Sequence, residues 1–127
     1  MGRYDQAWCD ELGASVGGDA LLESAPMRLL YVVSDTEDGK VAFHLELDGG
    51  GVVSVTAGKL PRGEKADVTV TAKEAVLSQL WQGDQRRDVA FMRGDLKIEG
   101  AYPRWLDELV PLFEKEPWST AWKQAVR

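Results

Sequence analysis

Between Lys40 and Asp48 the chain reads KVAFHLELD, in which Val41, Phe43, Leu45 and Leu47 alternate with Ala42, His44, Glu46 and Asp48. A period of two predicts a strand with the first set facing a core and the second facing away. The preceding MRLLYVVSD is apolar and β-branched, and the DTEDGK between them carries Asp38-Gly39, a tight-turn pair. After the Gly49-Gly50-Gly51 loop, Val53, Val55 and Ala57 alternate with Ser54 and Thr56. In ADVTVTA, Val68 and Val70 alternate with Thr69 and Thr71. These four segments predict an antiparallel meander with one apolar and one polar face. DLKIEG predicts a fifth strand, with Leu96 and Ile98 inward and Lys97 and Glu99 outward.

Elsewhere the period is helical. Tyr4, Trp8 and Leu12 recur every fourth residue and predict a short helix over Arg3 to Leu12. DALLESAP predicts a further turn or two before Pro26. Thr71 followed by Glu74 reads as a capping box opening a helix with Leu77, Leu80 and Trp81 on one face and Gly83 at its end. DQRRDVAFMRG predicts a second short helix, closed by Gly94. Beyond Pro103, the residues Leu106, Leu109, Val110 and Phe113 form an apolar stripe, in which Pro111 predicts a kink or restart. Pro117 opens a last piece carrying Trp118, Ala121, Trp122 and Ala125 at the same spacing.

The element order predicts an α+β fold, a five-stranded mainly antiparallel sheet covered on one face by helices. One domain spans 1–127, with a helical segment at 1–26 and aromatic helices at 103–127. That length, with 44% hydrophobic and 28% charged residues, supports a core without metal or disulfide.

The net charge of −6 disfavours nucleic acid as a partner, because phosphate backbones recruit basic surfaces. No apolar run reaches the length of a membrane span, so no integral membrane segment is expected. The start MGRYDQAWCDE lacks a secretory apolar stretch, and the single cysteine, Cys9, excludes an internal disulfide. A cytoplasmic location is the expectation. Cys9 reads as a small, half-buried helix side chain rather than a reactive thiol.

Candidate chemistry is sparse. His44, the single histidine, sits beside Glu46 on the polar strand face, where a solvated surface residue is the expected role. One histidine and one distant cysteine lack metal-ligand spacing, and neither a metal nor another cofactor is expected. DGGGVV lacks the following helix, Lys or Ser/Thr of a phosphate loop and reads as a hairpin loop. Arg86-Arg87 reads as solvated helix surface, with an acidic headgroup as its functional alternative.

The motifs ADVTVTAKEAVLSQLWQG and AFMRGDLKIEG together resemble the sterol-carrier-protein family, in its single-domain bacterial-type form. Asp67, Val68 and Thr69 match its strand, and Leu80, Trp81 and Gly83 match its helix end. Ala90, Phe91, Met92, Gly94, Leu96, Lys97, Ile98 and Gly100 match its last segment, although Asp95 stands where the family often has Lys. The resemblance covers about Arg28 to Val110. It implies an apolar tunnel between sheet and helices that takes sterols, fatty acids, acyl-CoA or phospholipids, with no catalytic residues of its own.

From periodicity alone these stripes are core. With the resemblance, non-catalytic binding of a hydrophobic small molecule becomes the leading expectation. The expected lining is Phe43, Val55, Leu77, Leu80, Trp81, Phe91, Met92, Leu109 and Phe113, with Trp118 and Trp122 capping the entrance. The alternatives are an enzyme of lipid or secondary metabolism using the same cavity, and an interaction module whose Trp-rich tail packs on a partner or on a second copy in a homodimer.

Overall fold

Strand β1 (Met27–Thr36) turns tightly into β2 (Gly39–Leu47), with Leu29 opposite Leu45 and Tyr31 opposite Phe43. The turn holds because Gly39 takes a φ of +83° and the Thr36 hydroxyl accepts the Asp38 N–H at 3.2 Å. These features belong to a computed structural model that describes residues 4–16, 27–47, 53–114 and 118–125. The expected DALLESAP turns, the triple-glycine loop and the opening at Pro117 lie outside the described residues.

Strand β3 (Val53–Ala57) continues the antiparallel ladder from β2. The expected four-strand meander ends there. Strand β4 (Val68–Lys73) crosses back and pairs parallel with β1, giving the order β3-β2-β1-β4-β5 once β5 (Lys97–Gly100) adds antiparallel to β4. Asp67 directs the crossover. Its carboxylate accepts the Arg28 N–H at 2.8 Å, its own N–H donates to the Arg28 carbonyl at 2.9 Å, and its carbonyl accepts the Ala101 N–H at 2.8 Å. Alternation assigns a face to each strand but not its neighbour, and Asp67 supplies the missing instruction.

The inner face carries Met27, Leu29, Tyr31, Val33, Phe43, Leu45, Val68 and Val70, all buried. On the outer face His44 is only 6% exposed, and its Nδ1 lies 3.0 Å from the Gly58 carbonyl. It is therefore a buried, partnered side chain, not the solvated histidine expected from the alternation. The returning loop at Gly58, bonded to Ala42 at 2.8 Å, brings that carbonyl to it.

Helix α1 (Gln6–Val16) lies across β3. Asp5 caps it by accepting the Trp8 N–H at 2.9 Å. The Gln6 amide accepts the Ala57 N–H at 3.0 Å and donates to the Val55 carbonyl at 3.3 Å, so it occupies β3's free edge as a neighbouring strand would. Tyr4 is buried, but it precedes the helix with a φ of +74° instead of extending its stripe. Cys9 is fully buried. Burial first, then Asp10 and Asp5, push its thiol pKa from 9.0 up to about 12. The native protein is expected to resist a thiol reagent at pH 8 and to react fully in urea, as a colorimetric thiol assay reads. The unfolded chain loses this proton first, so the stability tied to it is intact below pH 9.0 and is lost as pH climbs toward about 12.

Helix α2 (Glu74–Gln82) starts after Lys73, without a side-chain cap. Thr71 is not the expected capping residue, because it is held in the ladder between Val32 and Lys97. Gly83 ends α2 in the left-handed conformation, as expected. Helix α3 (Arg87–Met92) leads through Gly94 to β5. The chain then stays helical through Pro111: α4 (Tyr102–Arg104), a π-helical turn (Trp105–Leu109) and α5 (Val110–Glu114) are contiguous. Where a kink or restart is expected, a wider turn ends just before the proline, which lacks an N–H to continue an ordinary ladder. Helix α6 (Trp118–Ala125) returns to α1, where the Trp8 indole N–H donates to the Ala125 carbonyl at 2.8 Å.

Candidate functional site: an aromatic cleft with a buried arginine

Large rings link the sheet to the helices. Tyr31 stacks on Phe43 at 4.9 Å and meets Trp81 edge-on at 6.0 Å, and Trp81 stacks on Trp122 at 4.7 Å. Phe113 packs against Trp118 at 4.8 Å and Trp122 at 5.4 Å. Offset and edge-on contacts of this kind add about 0.5–1.5 kcal/mol per pair beyond area burial.

Two spaces flank this cluster. A cleft of about 220 Å³ is lined by Leu80, Trp81, Gly83 and Arg87, by Phe113 and Glu114, and by Ser119, Trp122 and Lys123. An inner void of about 10 Å³ lies among Tyr31, Val70, Leu77, Leu80, Trp81, Arg87, Leu96 and Trp105. The void is about the size of one water. Leu80, Trp81 and Arg87 line both spaces and so form the partition between them.

The structure brings Leu80, Trp81, Phe113 and Trp122 together on the cleft, and Leu77 onto the inner void. Phe43 and Trp118 are buried within the ring cluster, and Leu109 is fully buried in the core. Val55 lies under α1, 3.6 Å from where a side chain on Gly13 would begin. Phe91 is half-buried beside Trp105 at 5.8 Å. Met92 is 85% exposed at the end of α3 and forms no interior wall. The inward face of α3 carries Arg87, Ala90 and Phe91, and Met92, the next residue round the helix, falls outside it.

Arg87 differs from the expected solvated pair. Arg86 is exposed and bonds Asp88 at 2.8 Å, whereas Arg87 is only 6% exposed. Its guanidinium stands 5.5 Å over the Phe113 ring. Among the described residues it forms no ion pair. Burial pushes its pKa down, while Tyr31 and Glu114 pull it back up. Burial likewise raises the Tyr31 phenol, against Arg87, which keeps it a neutral hydroxyl. The signal was present in the sequence: Arg87, Ala90 and Phe91 share the i, i+3, i+4 face of α3. Lys123, Glu114 and Ser119 carried no comparable signal.

The buried indole N–H groups of Trp105, Trp118 and Trp122 find no hydrogen-bond partner among the described residues. Of the three, Trp122 lines the cleft and Trp105 the inner void. His44 faces the opposite side of the sheet from Phe43 and takes no part in the cleft.

The SCP-2 sterol transfer family matches residues 16–102, more than half of the sequence. The chain belongs to that family. Its fold is shared by sterol carrier protein 2, with a TM-score of 0.61 and 20% identity over 97% of this chain and 93% of that one. The palmitated SCP2L2 of Aedes aegypti superposes with a TM-score of 0.62 at 16% identity, covering 86% of this chain and 89% of its own. The inverting sec-alkylsulfatase Pisa1 of a Pseudomonas species gives a TM-score of 0.62 at 27% identity over 86% of this chain. The SCP-2 chain spans only 16% of that enzyme's length. No curated protein matches in sequence. Among the described residues of this SCP-2 member, no helix is long and apolar enough to cross a membrane.

Proposed function

We propose that this SCP-2 family member binds and carries a hydrophobic small molecule, such as a lipid, sterol, fatty acyl chain or polycyclic metabolite, without chemical conversion. The guest enters the cleft walled by Leu80, Trp81, Phe113 and Trp122 and extends inward past the Leu80–Trp81 partition. The observation that carries this reading is the 220 Å³ aromatic cleft adjoining the sheet-facing core. Family membership and the palmitated relative of the same fold lend it support. Pockets for small molecules are mostly apolar with a few convergent polar groups. This cleft pairs an apolar wall of Leu80, Trp81, Phe113 and Trp122 with a polar side of Arg87, Glu114, Ser119 and Lys123, which suits an amphiphile. Each buried methylene contributes about 0.8 kcal/mol, so six of them supply about 5 kcal/mol before the costs of ordering. A longer guest requires Trp81 to shift and open the partition.

Native mass spectrometry of gently purified protein is expected to reveal an apolar adduct, and tryptophan emission is expected to change on titration with lipids. A bare mass, together with emission unmoved by fatty, sterol and polycyclic compounds, contradicts the reading.

A further inference from the structure

We infer that Arg87 is an anion-recognition residue that selects single-chain amphiphiles with an acidic headgroup, a carboxylate, sulfate or phosphate, over neutral ones. The inference rests on the cleft being the apolar binding site. An uncompensated cation in a dry site is costly, and proteins normally offset it with a paired carboxylate and hydrogen bonds. Arg87 is buried, yet none of the described residues forms an ion pair with it. It lines the cleft and the inner void alike, at the partition where a chain lying in the cleft would end. Its planar fork matches an oxyanion in two-point geometry, and the ring of Phe113 at 5.5 Å fixes its plane.

Two further features favour the same guest. Trp122 lines the cleft, and its buried indole N–H lacks a hydrogen-bond partner among the described residues. Lys123 adds a second positive charge to the lining, against the single carboxylate of Glu114. With Tyr31 neutral, the charges facing the guest sum in favour of an anion. The apolar walls explain why the anion must bring a chain: a small ion alone leaves the rings uncovered. Glu114 attracts Arg87 without forming an ion pair with it. A headgroup at Arg87 supplies the direct pair, so binding and relief of the buried charge are one event.

The test compares dodecanoate with 1-dodecanol, equal in chain length, on the wild-type protein and on Arg87→Met and Arg87→Lys, by calorimetric titration. The wild type is expected to bind the acid at least tenfold more tightly than the alcohol. Arg87→Met should remove that preference by weakening the acid alone, and Arg87→Lys should restore part of it. Arg87→Met is also expected to raise the melting temperature of the empty protein, an effect that a residue present only for stability does not produce. In the wild type, the Arg87 Nε–H resonance should move with dodecanoate but not with dodecanol, a readout independent of any variant. Inorganic sulfate alone should leave it in place at the concentrations where dodecanoate saturates. Equal binding of acid and alcohol overturns the assignment and leaves apolar binding intact. So does a preference that survives Arg87→Met, or a sulfate affinity matching that of the acid. Failure of both dodecyl compounds to bind overturns the apolar reading and this inference with it.

Discussion

Gly100→Ala is expected to destabilise the protein by about 3–5 kcal/mol, the sum of left-handed strain, forced backbone displacement and a lost hydrogen bond. Gly100 has a φ of +90°, and a Cβ there would sit 2.3 Å from the Asp67 carbonyl oxygen and 3.1 Å from its carbon. That oxygen accepts the Ala101 N–H, and Asp67 also clamps β1 to β4 through Arg28. A methyl group at 100 therefore displaces the residue that directs the parallel crossover. Gly94→Ala is the internal control. Gly94 has a similar φ of +82° but nothing within 4 Å of the added carbon, so only the strain of about 1–2 kcal/mol remains. Urea unfolding of the two variants separates the contributions. Equal losses would show that the Gly100–Asp67 approach is not a constraint.

Trp81→Ala carries the second large effect, a loss of about 3–5 kcal/mol, because the surroundings of a buried tryptophan collapse only partly when it is removed. Trp81 touches Tyr31, Phe43 and Trp122 and forms the partition between the cleft and the inner void. Its removal joins the two spaces. The variant should therefore bind long-chain and bulky guests more tightly than the wild type while melting at a lower temperature. Saturating apolar ligand should return part of that temperature, since anything that binds only the native state stabilises it. A variant that melts early and gains no ligand affinity contradicts the partition role. A loss on this scale is a large share of a typical 5–15 kcal/mol total, so both variants are best compared at low temperature.

The two glycines also mark how far the sequence is legible. Strand faces follow from alternation at Val41 to Leu47 and Val68 to Val70, and the structure keeps every one of those faces. The neighbour of β4 was not legible, because an alternating strand buries the same face beside any partner. The carboxylate of Asp67 settles it through bonds across 39 residues of chain. Pro111 predicts a kink or restart because its ring disrupts an ordinary turn there, and a π-helical turn precedes it. Packing of Leu109, Val110 and Phe113 into the core holds the chain helical across it. At the site, the stripes of α2, α5 and α6 were readable from their spacing, and they supply the cleft walls. The burial of Arg87 is hard to see in the sequence, because adjacent arginines suggest solvent until the face shared with Ala90 is counted. Met92 belongs to a motif that marks the fold, and a motif match does not say which way a side chain points.

We propose that the ring-lined cleft takes an apolar guest. The indole N–H resonances of the five tryptophans test it most directly during titration with 1-dodecanol, which carries no headgroup charge. The Trp81 and Trp122 signals are expected to move saturably, while Trp8, bonded to Ala125 beyond the cleft, stays nearly in place. Five unmoved signals up to the solubility limit of the alcohol, or movement at Trp8 alone, would contradict it.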